Sequence, residues 1–151
     1  MKTKGFTLLE LAVTATVLAI LASAVIPLAR NAHRRQQELE LRRNLREVRS
    51  AIDEYKKMAD QQKIKAPPAD NNGYPESLEI LVEGAPATGS ASRKIRFLRR
   101  VPIDPMTGKA DWGMRSVTDE PTSTSWGGGS VYDIYSMSQG SGMNGRPYKE
   151  W

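Results

Sequence analysis

From Phe6 to Ala29 the chain is apolar for 24 residues, broken only by small hydroxyl side chains, Pro27 and one charge, Glu10. As a helix such a run is ~36 Å long, enough to cross a hydrocarbon layer of ~30 Å. After it the pattern becomes periodic. Leu41, Leu45, Val48, Ile52, Tyr55 and Ala59 recur at intervals of 4, 3, 4, 3 and 4, which places them on one helix face. Arg42, Arg43, Arg46, Arg49, Lys56 and Lys57 lie mostly off that stripe, interleaved with Glu38, Glu40, Glu47, Asp53 and Glu54. A mixed-charge face of this kind supports a long exposed helix. No helix breaker appears until Ala66-Pro67-Pro68, so one helix is predicted from Phe6 to about Gln62, ~85 Å at 1.5 Å per residue.

The remaining residues read as short elements joined by loops. Pro67 to Gly73 is a loop by composition, and Tyr74 to Val82 reads as a short helix with Pro75 in its first turn. Glu83 to Ser92 reads as a loop of Gly, Pro, Ala and Ser. A strand is expected over Ile95–Val101, with imperfect alternation because Leu98 falls on the wrong face. Asp104-Pro105-Met106-Thr107-Gly108 is a turn signal. Strands are expected over Asp111–Arg115 and, most clearly, Val131–Met137, where β-branched and aromatic residues concentrate. Thr118 to Gly129 is a polar loop holding Trp126. The predicted class is α+β: a long N-terminal helix packed on a small antiparallel sheet.

With 151 residues and about 55 of them in one helix, the globular part is small and its core modest. There is no cysteine, so disulfides and thiol chemistry are excluded. The formal net charge is +5. Lys2 and Lys4 contribute two of those charges, and the rest is too evenly mixed with acids to imply a nucleic-acid partner.

Catalytic patterns do not close. His33 is the single histidine, which excludes a histidine triad or a histidine metal cluster. Gly140 to Gly145 fits G-x-G-x-x-G, but the dinucleotide reading needs a strand before, a helix after and a βαβ frame around it. Here Arg146-Pro147-Tyr148 follows, and a turn is the better reading. The protein is expected not to be an enzyme. Glu10 is the residue that calls for a function, because a carboxylate inside a bilayer is costly. A conventional secretory signal has a shorter apolar core followed by a small-residue cleavage site. Ala22-Ser23-Ala24 offers such a triplet, yet Val25-Ile26 and Leu28-Ala29 carry the apolar pattern past it.

The string Met1-Lys2-Thr3-Lys4-Gly5, then Phe6-Thr7-Leu8-Leu9-Glu10 and an apolar helix, resembles the class III signal of the type IV pilin and pseudopilin superfamily. Arg99 to Pro105, Asp111-Trp112 and Val131 to Ser136 resemble the major, G-type pseudopilin of type II secretion. The resemblance implies a ladle-shaped pilin fold with a leader at residues 1–5, a transmembrane and filament-core helix at 6–29, an amphipathic helix at 30–62 and an α+β domain at 63–151. It implies cleavage between Gly5 and Phe6 by a prepilin peptidase, and N-methylation of Phe6. Glu10 would pair with the Phe6 amine of a neighbouring subunit, and Pro27 would mark a kink in the helix. The implied partners are other copies of the chain, the peptidase, an inner-membrane assembly platform and minor pseudopilins, with no nucleic acid. The implied function is that of a subunit whose filament drives protein secretion. A type IV pilin of an adhesion or motility fibre is an alternative, although many of those carry a C-terminal disulfide loop. So is a membrane-anchored periplasmic binding module that does not polymerise.

Orientation is left open by charge counting, since Arg30, Arg34 and Arg35 balance Lys2 and Lys4. The resemblance places the N-terminus in the cytoplasm and the C-terminal domain in the periplasm. G-type subunits often hold Ca2+ in the loop after the strand at 131–137. Here Ser138 to Trp151 contains Glu150 as its one acid, with Ser138, Ser141 and Asn144 as neutral oxygens. The pattern departs where the ligands would stand, so no cofactor is assigned and Asp133 is left as the candidate metal ligand.

Overall fold

The computed structural model describes residues 5–151, without the side chains of 24–27 and Ala91. Helix α1 runs from Leu8 to Asp60, 53 residues. It starts two positions later than the sequence pattern suggested because Thr7 caps it: the Glu10 amide donates to Thr7 Oγ1 at 3.2 Å. Thr7 and Glu10 thus stand in the Thr-x-x-Glu spacing of a capping box, and the acid in the first turn suits the positive end of the helix dipole. At the other end Gln62 takes φ +56°. Lys63 donates to the Met58 carbonyl and Gln62 to that of Ala59, both at 2.9 Å. This is a Schellman ending, built on Gln where Gly is usual.

The chain divides into two compact units, residues 1–36 and 37–151. In the first, described side chains over 5–23 and 28–36 are exposed. The second holds the core. Leu41, Leu45, Val48, Ile52 and Tyr55 are all essentially buried, so the predicted stripe is the docking face. Ile64, Leu78, Leu81, Leu98, Trp112, Val131, Ile134 and Tyr148 close over it. Burial, then the nearby Glu76 carboxylate, raise the Tyr55 pKa above the ordinary 10.0.

Two small antiparallel sheets occur among the described residues, rather than one. Strand β1 (Ala85–Ala87) and β2 (Ser90–Ile95) form a hairpin around Thr88-Gly89, where Gly89 takes φ +79°. Strand β3 (Trp112–Arg115) pairs with β4 (Asp133–Ser136), from Trp112 opposite Ser136 to Arg115 opposite Asp133. The second sheet lies where the sequence placed it; the first corrects two expectations. The segment read as a loop is a hairpin, and the strand expected over Ile95–Val101 ends at Ile95. Beyond it, the amides of Phe97 and Leu98 both donate to the Leu81 carbonyl at 2.9 Å, so the backbone turns and buries Leu98. The helix expected over Tyr74–Val82 is also shorter: α2 spans only Glu79–Glu83. Pro75 is fully buried and its carbonyl accepts from Val131 at 2.8 Å. That long-range bond holds 74–75 out of the helix.

Candidate functional site: the amino-terminal segment

Gly5, Phe6 and Thr7 precede the helix without regular structure. Nothing lies within 4 Å of a methyl built on Gly5, and Phe6 is 76% exposed. Among the described residues nothing packs where a side chain at 5 would stand, and Phe6 is largely uncovered. Glu10 stands one turn into the helix, exposed, with its amide held by Thr7. Around it Leu8, Leu9, Leu11, Val13, Val17, Leu18, Ile20 and Leu21 are exposed too. Such a surface needs lipid or other helices to cover it. The most apolar stretch of α1 has a mean hydropathy of 2.3, and by length and composition this helix can cross a membrane. Lys2, Lys4 and the side chain of Pro27 lie outside the described residues, and with them the leader and the kink.

The Asp133 environment differs from a cation site. Asp133 Oδ1 accepts from Arg49 Nε at 2.6 Å, and Oδ2 lies 3.4 Å from Nη1 of Arg115. Arg49 also donates to the main-chain oxygens of Ile134 (3.0 Å) and Trp151 (2.8 Å). Arg115, with a side chain only 5% exposed, donates to the carbonyls of Ser123 at 2.8 Å and Lys149 at 2.9 Å. Its guanidinium lies 4.2 Å from the Tyr135 ring centre. These two arginines gather helix, sheet and C-terminal loop around one carboxylate. Calcium needs six to eight oxygens with negative charge in excess. Two guanidiniums at the one acid reverse that balance, and no three acidic or histidine side chains cluster among the described residues. The donor set does not suit the ion.

Three further residues bind loops to the core and were not singled out from sequence. Glu38 is buried and accepts from the Met143 amide at 2.8 Å and the Tyr148 hydroxyl at 3.1 Å. It sits three positions before Leu41, so it continues the apolar stripe; that spacing was the available signal. Asp104, fully buried, accepts from Met106 N at 2.8 Å and Ser136 Oγ at 2.6 Å. Asn44 donates to the Ile103 carbonyl at 2.9 Å. The glycines of the 140–145 segment serve packing: a methyl on Gly140 would press on the Tyr148 ring and one on Gly142 would enter that of Trp151.

Comparison with known proteins agrees with this geometry. Residues 1–26 match the model of the prokaryotic N-terminal methylation motif. The chain is 29% identical over 140 residues to the type II secretion system core protein G of Escherichia coli (strain K12), covering 89% of this chain and 81% of that one. The N-terminus is that of a pilin or pseudopilin, and most of the chain is similar to one. No solved structure matches it at a comparable level. That likeness begins in the segment that holds Gly5, Phe6 and Glu10.

Proposed function

We propose that this pilin-type protein is the subunit of a type II secretion pseudopilus. It is anchored by α1 in the inner membrane with its N-terminus in the cytoplasm, cut between Gly5 and Phe6, N-methylated at Phe6 and polymerised through α1. An inner-membrane assembly platform adds subunits, minor pseudopilins join the same fibre, and its growth drives protein export without catalysis by the chain itself. The observation that carries this reading is Glu10: one carboxylate on an apolar helix, exposed among the described residues. A monomeric anchor gains nothing from a charge there, whereas a neighbour's Phe6 amine would neutralise it and fix the axial register of the fibre. The likeness to core protein G over most of the chain supports the secretion fibre over an adhesive one. Intact-mass measurement of membrane-extracted protein tests the first step. Loss of residues 1–5 with one added methyl group is expected; retention of Met1 to Gly5, or a cut after Ala24, overturns it.

A further inference from the structure

The amphipathic half of α1 carries opposite charges on its two flanks. At 100° per residue, Arg42, Arg46 and Arg49 lie on one side of the buried stripe. Glu40, Glu47 and Glu54 lie on the other, and each row is roughly 110° from the stripe. The acidic row repeats every seven residues, ~10.5 Å along the helix. Glu40 and Glu47 are exposed. Arg43 stands between them, yet no ion pair joins it to either among the described residues; Glu54 lies 3.6 Å from Lys57.

The arginine flank is shaped into a cleft. The C-terminal loop brings Arg146 and Trp151 beside it, enclosing about 270 Å³ with four arginines and Glu150 in the lining. Arg49 is committed to Asp133. The Arg42 guanidinium lies 4.3 Å from the Trp151 ring centre, which fixes its plane while leaving its donors open. Arg42, Arg46 and Arg146 are exposed and have no carboxylate partner among the described residues. The three line one cleft, and an incoming carboxylate would accept paired hydrogen bonds from their guanidiniums.

We propose that the cleft of Arg42, Arg46 and Arg146 receives the Glu40–Glu47 edge of a second copy of this chain. Because donor and acceptor rows lie on opposite flanks of the same helix, the contact is head-to-tail. Each copy offers one free flank to the next, and such a contact propagates instead of closing as a symmetric dimer. This inference rests on the filament reading above, but it assigns the lateral contact to the soluble half of the helix, independently of Glu10. The pairing also predicts a fibre that loosens with salt, since exposed pairs are screened over a Debye length of ~8 Å at physiological ionic strength.

The test is charge exchange in the full-length chain, expressed with the processing and assembly machinery. Arg46→Glu and Glu47→Arg are each expected to lower the yield of sheared fibres about tenfold or more, through like charges brought face to face. The double variant carrying both restores attraction between copies and is expected to recover most of the yield. Within one chain residues 46 and 47 do not face each other, so recovery cannot come from an internal pair. Since the chain has no cysteine, a Glu47→Cys, Arg146→Cys variant adds a second reading: oxidation should give a ladder of linked multimers. Wild-type yield from Arg46→Glu, failure of the exchange to recover, or a missing ladder from fibres that do form overturns the contact while leaving the filament reading standing. Normal fibres with export lost in Arg46→Glu would assign the cleft to an acidic cargo segment and also overturn it. No fibre from the parent chain overturns both.

Discussion

Arg49 of the helix reaches Asp133 of β4, 84 positions along the chain, with its Nε 2.6 Å from Oδ1. Arg115, nearly buried, reaches Oδ2 of the same carboxylate at 3.4 Å. Losing either partner is therefore not equivalent. Arg49→Ala leaves Asp133 paired with Arg115 and frees two main-chain oxygens near solvent; with Arg49 35% exposed, the cost is discounted to about 1–2 kcal/mol. Asp133→Ala leaves Arg115 without its counter-charge and should cost more, about 3 kcal/mol. Chemical denaturation of both variants checks the order. Equal losses would mean that Arg115 is satisfied by its carbonyls alone.

The same carboxylate leads to a prediction about metal. If Asp133 is occupied by arginines, chelation does not shift the equilibrium, because only a ligand that binds the native state can stabilise it. Thermal melts with and without EDTA should superimpose. A drop of many degrees in EDTA would reveal a calcium site built from other oxygens.

Gly113 of β3 faces Tyr135 of β4, and a methyl at 113 would fall inside the tyrosine ring. That ring is held from two sides, by its hydroxyl on the Thr124 carbonyl at 2.9 Å and by the Arg115 guanidinium. It has no free direction in which to retreat. Gly113→Ala should destabilise by about 1–3 kcal/mol, as overpacking does, and a compensating Tyr135→Leu should recover part of it. An unchanged melting temperature for Gly113→Ala would show that the sheet yields more easily than its contacts imply.

Asp119 offers a pH-dependent handle on the polar loop. Its Oδ2 accepts from the amides of Ser116 at 2.7 Å and Gly127 at 3.1 Å. Those amides, Ser116 first, hold its pKa below the ordinary 3.8. A depressed carboxyl contributes to the folded loop above the ordinary value and loses that contribution as pH falls through the lower, folded one. The Gly127 amide resonance should therefore titrate below pH 3.8, and Asp119→Asn should abolish the titration. A midpoint at or above the ordinary value would show that the two bonds do not persist in solution.

For assembly, Glu10→Ala should leave membrane insertion intact, since removing a charge makes insertion easier, while fibre yield collapses. In the fibre core the Phe6 amine would lose its counter-charge, and breaking a buried pair costs ~3–5 kcal/mol. Glu10→Asp, shorter by one methylene, should be intermediate. Shear-released or cross-linked multimers at matched expression measure it. Normal multimers from Glu10→Ala would favour a monomeric anchor.

Local order was legible in the sequence; long-range partnership was not. The apolar run, the stripe from Leu41 to Tyr55 and the strands at 112–115 and 133–136 were readable because periodicity is written residue by residue, and each period has one geometry. So was the N-terminal signal, in which Gly5, Phe6 and Glu10 form a pattern within six consecutive residues. The β1–β2 hairpin was not readable, because Ala, Gly and Ser carry no alternation and the strands are defined by the partner each finds. Nor was the burial of Glu38, which takes the place of an apolar stripe residue only because Tyr148 and the Met143 amide, more than a hundred residues away, satisfy its charge. Asp133 is the clearest case. Its chemistry as a lone acid beside a loop invited a cation, and only the tertiary fold brought Arg49 and Arg115 to it. A carboxylate's role is set by the charges within a few ångströms, and those are decided by chain segments whose separation in sequence carries no local signal.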